Sequence, residues 1–271
     1  MRKVPEFVKL PPYAVTGVPA FPAPGIDLKD DRELESMRRV GALARAALNE
    51  VKRHIQPGIT TDYLDLVIHE FGMKANAYPS TLNYRGYPKS CCTSVNNVVC
   101  HGIPDDRPLV SGDLISVDVT FYLDGFHGDC AETFLVGNVD EQGKRLTDVA
   151  KRCRDAAVNA CGPGVPLSKI GDVIEEITDA EGLTILPMFA GHGIGSYFHG
   201  APDVLHFRND NAQVMCEGMT FTIEPAVGQG TEEVAILSDG WTAVTRDDSR
   251  AAQFEHTVAI TAHGVEILTP Y

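Results

Sequence analysis

Apolar residues recur at helical spacing in four stretches of this chain. The first opens at Asp30, with Glu33 three positions on, and runs through Met37, Val40, Leu43, Ala44, Ala47, Leu48 and Val51. A capping residue followed at that distance by glutamate marks a helix start, and Pro57-Gly58 is read as its stop. A second helix is predicted from about Thr61, with Leu64, Val67, Ile68 and Phe71 on one stripe. The third carries Leu146, Val149, Ala150, Cys153 and Ala157 up to Gly162-Pro163-Gly164, and the fourth carries Ile170, Val173, Ile174 and Ile177. Elsewhere the period drops to two, the mark of strands. Residues 113–123 and 126–136 flank Asp124-Gly125, a two-residue hairpin signal. That turn sets Leu123 opposite Phe126, Asp118 opposite Ala131 and Asp129 opposite Thr120. Asp118 and Asp129 then share one face as diagonal neighbours about 7–8 Å apart at the backbone. Val117, Val119, Phe121, Leu123 and Phe126 form the other face, which reads as core.

A shift of 106 positions lays Pro57-Gly58 on Pro163-Gly164, Leu64, Val67 and Ile68 on Ile170, Val173 and Ile174, and Asp118 on Glu224. One offset that aligns helix face, turn and carboxylate implies an α+β unit duplicated about a pseudo-twofold axis, with a site between the halves. The halves are read as about 30–137 and 138–271 of a single domain over 29–271. Residues 1–28, with prolines at 5, 11, 12, 19, 22 and 24, are read as an extended arm lying on that domain or leading from a further upstream segment.

Composition narrows the function classes. Lys and Arg number 23 against 37 Asp and Glu in 271 residues, a formal charge of −14. That balance disfavours broad electrostatic capture of nucleic acid or an anionic membrane. Seven cysteines with no Cys-x-x-Cys pair, and no Asn-x-Ser/Thr sequon, point to a reducing compartment, read as the cytoplasm. The opening residues show no secretory signal, and no apolar run approaches the ~18 residues that span a bilayer.

Asp118 is the oddest residue of the hairpin, because strand interiors disfavour aspartate. Its plain alternative is a solvated outer face. Glu224 follows Phe221-Thr222-Ile223, and Glu255 lies in a second β-type run. Gly191-His192-Gly193-Ile194-Gly195 reads as a glycine-rich loop holding one histidine, with His199 seven residues on, and His101 ends an apolar strand. The glycine spacing is not a phosphate-binding fingerprint, and Ser196 lacks a Gly-x-Ser-x-Gly elbow. Cys91-Cys92 has no partner pair at zinc spacing and reads as buried filler.

Together, Asp118, Asp129, His192, Glu224 and Glu255 resemble the five-ligand dinuclear site of the methionine aminopeptidases. The spacings match that family: eleven between the aspartates, seven between His192 and His199, thirty-one between the glutamates. Tyr84-Arg85-Gly86-Tyr87-Pro88-Lys89-Ser90 and Cys100-His101-Gly102-Ile103-Pro104 also look like family blocks. Only 25 residues separate His199 from Glu224, so the chain resembles type 1 rather than type 2 members, and Cys91-Cys92 is similar to the eukaryotic-like type 1 branch.

The resemblance implies the pita-bread fold, duplicated halves with antiparallel sheet and flanking helices. It implies removal of the initiator methionine from nascent proteins and peptides by a metalloexopeptidase that uses two divalent ions, as aminopeptidases are known to do. Four carboxylates and one imidazole suit Co, Mn, Fe(II) or Zn alike. Asp118, Asp129, His192, Glu224 and Glu255 would be the metal ligands, and His101, His199 and Glu224 the catalytic residues. Glu224 would take a proton from the attacking water, His199 would steady the oxyanion, and His101 would meet the scissile amide nitrogen. Tyr84, Tyr87, Cys92, Phe198 and Trp241, with Thr81 at the rim, would form the methionine slot. Expected partners are N-termini of nascent polypeptides and the ribosome, for a monomer without nucleic-acid or membrane binding. The alternatives are an Xaa-Pro aminopeptidase or prolidase of the same fold, and a metal-free binding protein.

Overall fold

The computed structural model describes residues 1–20 and 25–271; Pro22 and Pro24 of the arm lie outside the described residues. Four helices, α1 (Asp31–Lys52), α2 (Thr61–Lys74), α3 (Glu141–Asn159) and α4 (Ser168–Glu181), flank antiparallel sheets. Asp30 caps α1 by accepting from the Arg32 and Glu33 backbone N–H groups, and Glu33 accepts from the Asp30 N–H in return. Such a cap contributes about 1 kcal/mol. The helix ends at Lys52, ahead of Pro57-Gly58, because the Arg53 and His54 N–H groups turn back onto the Glu50 and Val51 carbonyls. Likewise α3 stops at Asn159, short of Gly162-Pro163-Gly164.

Strands Leu114–Leu123 and Phe126–Leu135 pair in the register read from the turn, with Asp118 opposite Ala131 and Asp129 opposite Thr120. Asp124 and Gly125 have φ of 53° and 101°, the left-handed pair that a tight hairpin needs. Val117, Val119 and Phe121 are fully buried beneath α1 and α2, against Val40, Ala44, Leu48, Leu64 and Ile68. Each such side chain contributes roughly 1.5–3 kcal/mol of burial. Strand Cys92–Val95 pairs with the other edge of Leu114–Leu123, placing Cys92 directly beside Asp118.

The second core unites Leu146, Val149 and Cys153 of α3 and Ile170 and Ile174 of α4 with Phe221, Ile223 and Val258. Those last residues belong to a five-stranded sheet ordered Gly264–Ile267, His256–Thr261, Thr220–Ile223, Gly191–Gly193, Gly200–Val204. The two sheets meet along one seam. There the Glu255 N–H donates to the Ala131 carbonyl at 2.9 Å, and Thr257 Oγ1 links to the Asp129 N–H and carbonyl. No helix among the described residues is long and apolar enough to cross a membrane.

Candidate active site and metal centre

A cavity of about 300 Å³ opens at this seam. Bordering it are Asp118, Asp129, His192, Glu224 and Glu255, then His101 and His199, then Thr81, Tyr84, Tyr87, Cys92, Phe198 and Trp241. Every site residue read from the sequence therefore reaches one space. Arg85, Phe189 and Ala190 also border it. The sequence does not single out these three: Phe189 and Ala190 belong to no motif, and Arg85 stands only inside the block from Tyr84 to Ser90.

Each acid arrives from a different backbone position. Asp118 sits mid-strand, Asp129 on the facing strand, Glu224 just past Thr220–Ile223, and Glu255 in the break between Ala251–Gln253 and His256–Thr261. Glu255 thus stands between strands rather than inside one, which frees its N–H for the Ala131 carbonyl. His192 lies on strand Gly191–Gly193, not in a loop. A Cβ on Gly191 would come within 2.3 Å of the Thr222 carbonyl oxygen, and one on Gly193 within 1.9 Å of the Ala201 carbonyl oxygen. The glycines are there to let three strands close up around the imidazole.

Ligand atoms of Asp129, His192 and Glu255 lie within 4.8 Å of one another. His192 Nε2 is 3.5 Å from Glu224 Oε1 and 4.0 Å from Asp129 Oδ2. Its Nδ1 lies 3.2 Å from the Gly193 carbonyl, which fixes the proton there and leaves the Nε2 lone pair directed at the acids. Thr120 donates to Asp129 Oδ1 at 2.7 Å, and Thr222 donates to Glu224 Oε1 at 2.9 Å. By contrast, Asp118 Oδ1 and Glu255 Oε1 are buried with no hydrogen-bond partner.

Burial drives the protonation of this cluster. It lifts the Asp118 carboxyl to about 6 and that of Glu224 to about 8. Asp129 and Glu255 rise well above the carboxylate range, by burial first and then by the charge of their acidic neighbours. Burial also lowers His192 and His101 to about 4, so both imidazoles are neutral at pH 7. Four carboxyl groups so close can all ionise only against compensating positive charge. Two carboxyl oxygens without donors and one aimed imidazole are what a divalent cation site requires. The residues fit the divalent metal that the family resemblance implies.

Around the acids the remaining groups divide by chemistry. His199 Nδ1 is 2.9 Å from the Tyr84 hydroxyl, so its Nε2 is the atom left for the cavity. His101 adopts φ 56°, a left-handed conformation rare outside glycine, with its ring edge-on to Phe189 at 5.1 Å and near Trp241 at 6.2 Å. Tyr87 meets Trp241 edge-on at 5.0 Å. Tyr84 and Phe198 pack at 4.9 Å. These rings make an apolar slot beside the acids.

Comparison with known proteins agrees with this picture. The profile of Metallopeptidase family M24 matches residues 35–262. A zebrafish (Danio rerio) protein named Methionine aminopeptidase 1D, mitochondrial, is 53% identical over 98% of this chain and 79% of its own length. The human protein of that name is 50% identical over the same shares. Among solved structures, methionine aminopeptidase from Rickettsia prowazekii superimposes with a TM-score of 0.89 at 39% identity, covering 91% of this chain and all of that one. Prolidase from Pyrococcus furiosus, at 22% identity and a TM-score of 0.72, shares the fold.

Proposed function

The chain belongs to metallopeptidase family M24, and from that premise we propose that it is a type 1 methionine aminopeptidase that removes the initiator methionine from nascent proteins and peptides. The observation that carries this reading is one cavity in which four acids, Asp129 and Glu255 buried and Asp118 and Glu224 half-buried, and an imidazole adjoin an aromatic slot.

Asp118, Asp129, His192, Glu224 and Glu255 would hold two divalent ions, of Co, Mn, Fe(II) or Zn. Bound there, the ions would supply Lewis acidity and positive charge that keeps the carboxylates ionised. The chain's own residues do the rest. Tyr84, Tyr87, Cys92, Phe198 and Trp241, with Thr81 at the rim, hold the methionine side chain. Glu224 takes the proton of the attacking water. With the Tyr84 phenol donating to Nδ1, His199 presents Nε2–H to the developing oxyanion, and neutral His101 meets the scissile amide nitrogen. The ions would also offer a site for the substrate's free α-amino group, which would explain why only the first residue is cut.

We keep the cytoplasm as its compartment. All seven cysteines are free thiols, which suits reducing conditions, although the relatives above are named mitochondrial. A monomer acting on emerging chains, with the ribosome as partner, completes the reading. Purified protein given Mn²⁺ or Co²⁺ should hydrolyse Met-Ala-type peptides, stop on chelation and leave Xaa-Pro peptides intact. Preferential cleavage of Xaa-Pro bonds would transfer the chain to the prolidase branch. Absence of any metal-stimulated hydrolysis would point to a binding protein.

A further inference from the structure

We infer that Tyr13, in the N-terminal arm, is a positioning residue of the active site: it holds Tyr84 in place, and through the Tyr84 hydroxyl it sets the His199 imidazole. The inference rests on the proposed function for its kinetic meaning, but not for its geometry.

Tyr13 is only 4% exposed, far from the composition of a trailing arm. Its hydroxyl donates to the Ser80 carbonyl at 2.6 Å, and its ring stands edge-on to Tyr84 at 5.0 Å and 84°. Tyr84 in turn borders the cavity and meets His199 Nδ1 at 2.9 Å. A second route leads to the same wall. Ser80 Oγ meets His127 Nδ1 at 2.8 Å, and the His127 ring stacks on Phe198 at 5.4 Å and on Tyr13 at 6.2 Å.

The turn that carries Tyr84 needs such support. Asn83 and Arg85, on either side, have φ of 59° and 49°, left-handed values that cost energy for residues other than glycine. The arm braces that turn directly, since Asn83 Nδ2 donates to the Ala14 carbonyl at 2.9 Å. Tyr13 and Ala14 thus hold a strained turn whose tyrosine selects which nitrogen of His199 faces the substrate. The arm therefore backs the Tyr84 side of the cavity from behind.

The test compares Tyr13→Ala, Tyr13→Leu and Tyr13→Phe in the full chain with Zn²⁺ present. We expect Tyr13→Ala to lower kcat/KM on a Met-Ala-type peptide by ~10–100-fold, the size that misplacement of a catalytic group produces. Tyr13→Phe, which keeps the ring contact and gives up only the Ser80 bond, should restore most of that loss. Tyr13→Leu conserves apolar volume and carries the same test should the alanine variant not fold. In a His199→Asn background, Tyr13→Ala should cost no more than about twofold, because its effect runs through the missing imidazole. Histidine ring ¹⁵N spectra supply a readout independent of turnover: the His199 Nδ1 signal of the wild type should shift in Tyr13→Ala and return in Tyr13→Phe. An unmoved signal, or equal losses in the wild-type and His199→Asn backgrounds, would overturn the inference. A wild-type enzyme inert toward methionyl peptides would instead overturn the functional reading, leaving the spectra to decide the geometry.

Discussion

Asp118 shows at the scale of one residue how structure and chemistry disagree until charge is added. It lies mid-strand and half-buried, with its Oδ1 buried and unpartnered and its carboxyl raised to about 6 by burial. A fold stabilised for its own sake would not place it there. Asp118→Asn should therefore reduce kcat/KM by about 10²–10⁴-fold, the several kcal/mol expected of a lost contact to a catalytic cation. The melting temperature of the metal-free protein should hold or rise, since a neutral amide replaces a buried acid. Full activity in that variant would remove Asp118 from the ligand set.

At the scale of elements, the hairpin was legible in the sequence because Asp124-Gly125 admits one tight turn, and the turn dictates every opposed pair down to Asp118 and Asp129. The glycine-rich segment around His192 misled for a physical reason. Glycine is the common residue of loops, but Gly191 and Gly193 serve here to let strands approach within Cβ distance of carbonyl oxygens. Gly193→Ala should cost ~1–3 kcal/mol by overpacking, measured as a lower urea midpoint, and should reduce activity by displacing His192. An unchanged midpoint would mean that the strands have room to part.

The start of the same hairpin offers a pH test. Burial alone would raise the Asp113 carboxyl, but Arg107, the Val110 N–H and Asn96 together hold it below its usual range. A depressed folded value means that its stabilisation is complete above the unfolded value, about 3.9, and is lost as pH falls through the folded one. Asp113→Asn should thus cost ~1–3 kcal/mol between pH 5 and 8, and the gap from wild type should close below pH 4. A gap that persisted in acid would assign the effect to packing instead of charge.

Over the whole molecule, two helix pairs flank antiparallel sheets that bring the four acids to one seam, and the arm backs the slot beside them. We propose that the 106-residue correspondence reflects duplication, with halves of about 30–137 and 138–271. Residues with a fixed spacing or an anomalous environment were readable from the chain: Asp118, Glu224, His192. What was not readable was long-range and aperiodic. Nothing in the arm's spacing shows that Tyr13 packs on Tyr84, or that Arg85 and Phe189 border the cavity, because those contacts depend on how separate elements dock.

We propose that the acids and His192 cage a pair of cations. Anomalous diffraction from crystals grown with Mn²⁺ tests it most directly. Two anomalous peaks should appear inside the cavity, each within coordination distance of Asp118, Asp129, His192, Glu224 or Glu255. A cavity without a peak, or manganese bound only at the protein surface, would contradict it.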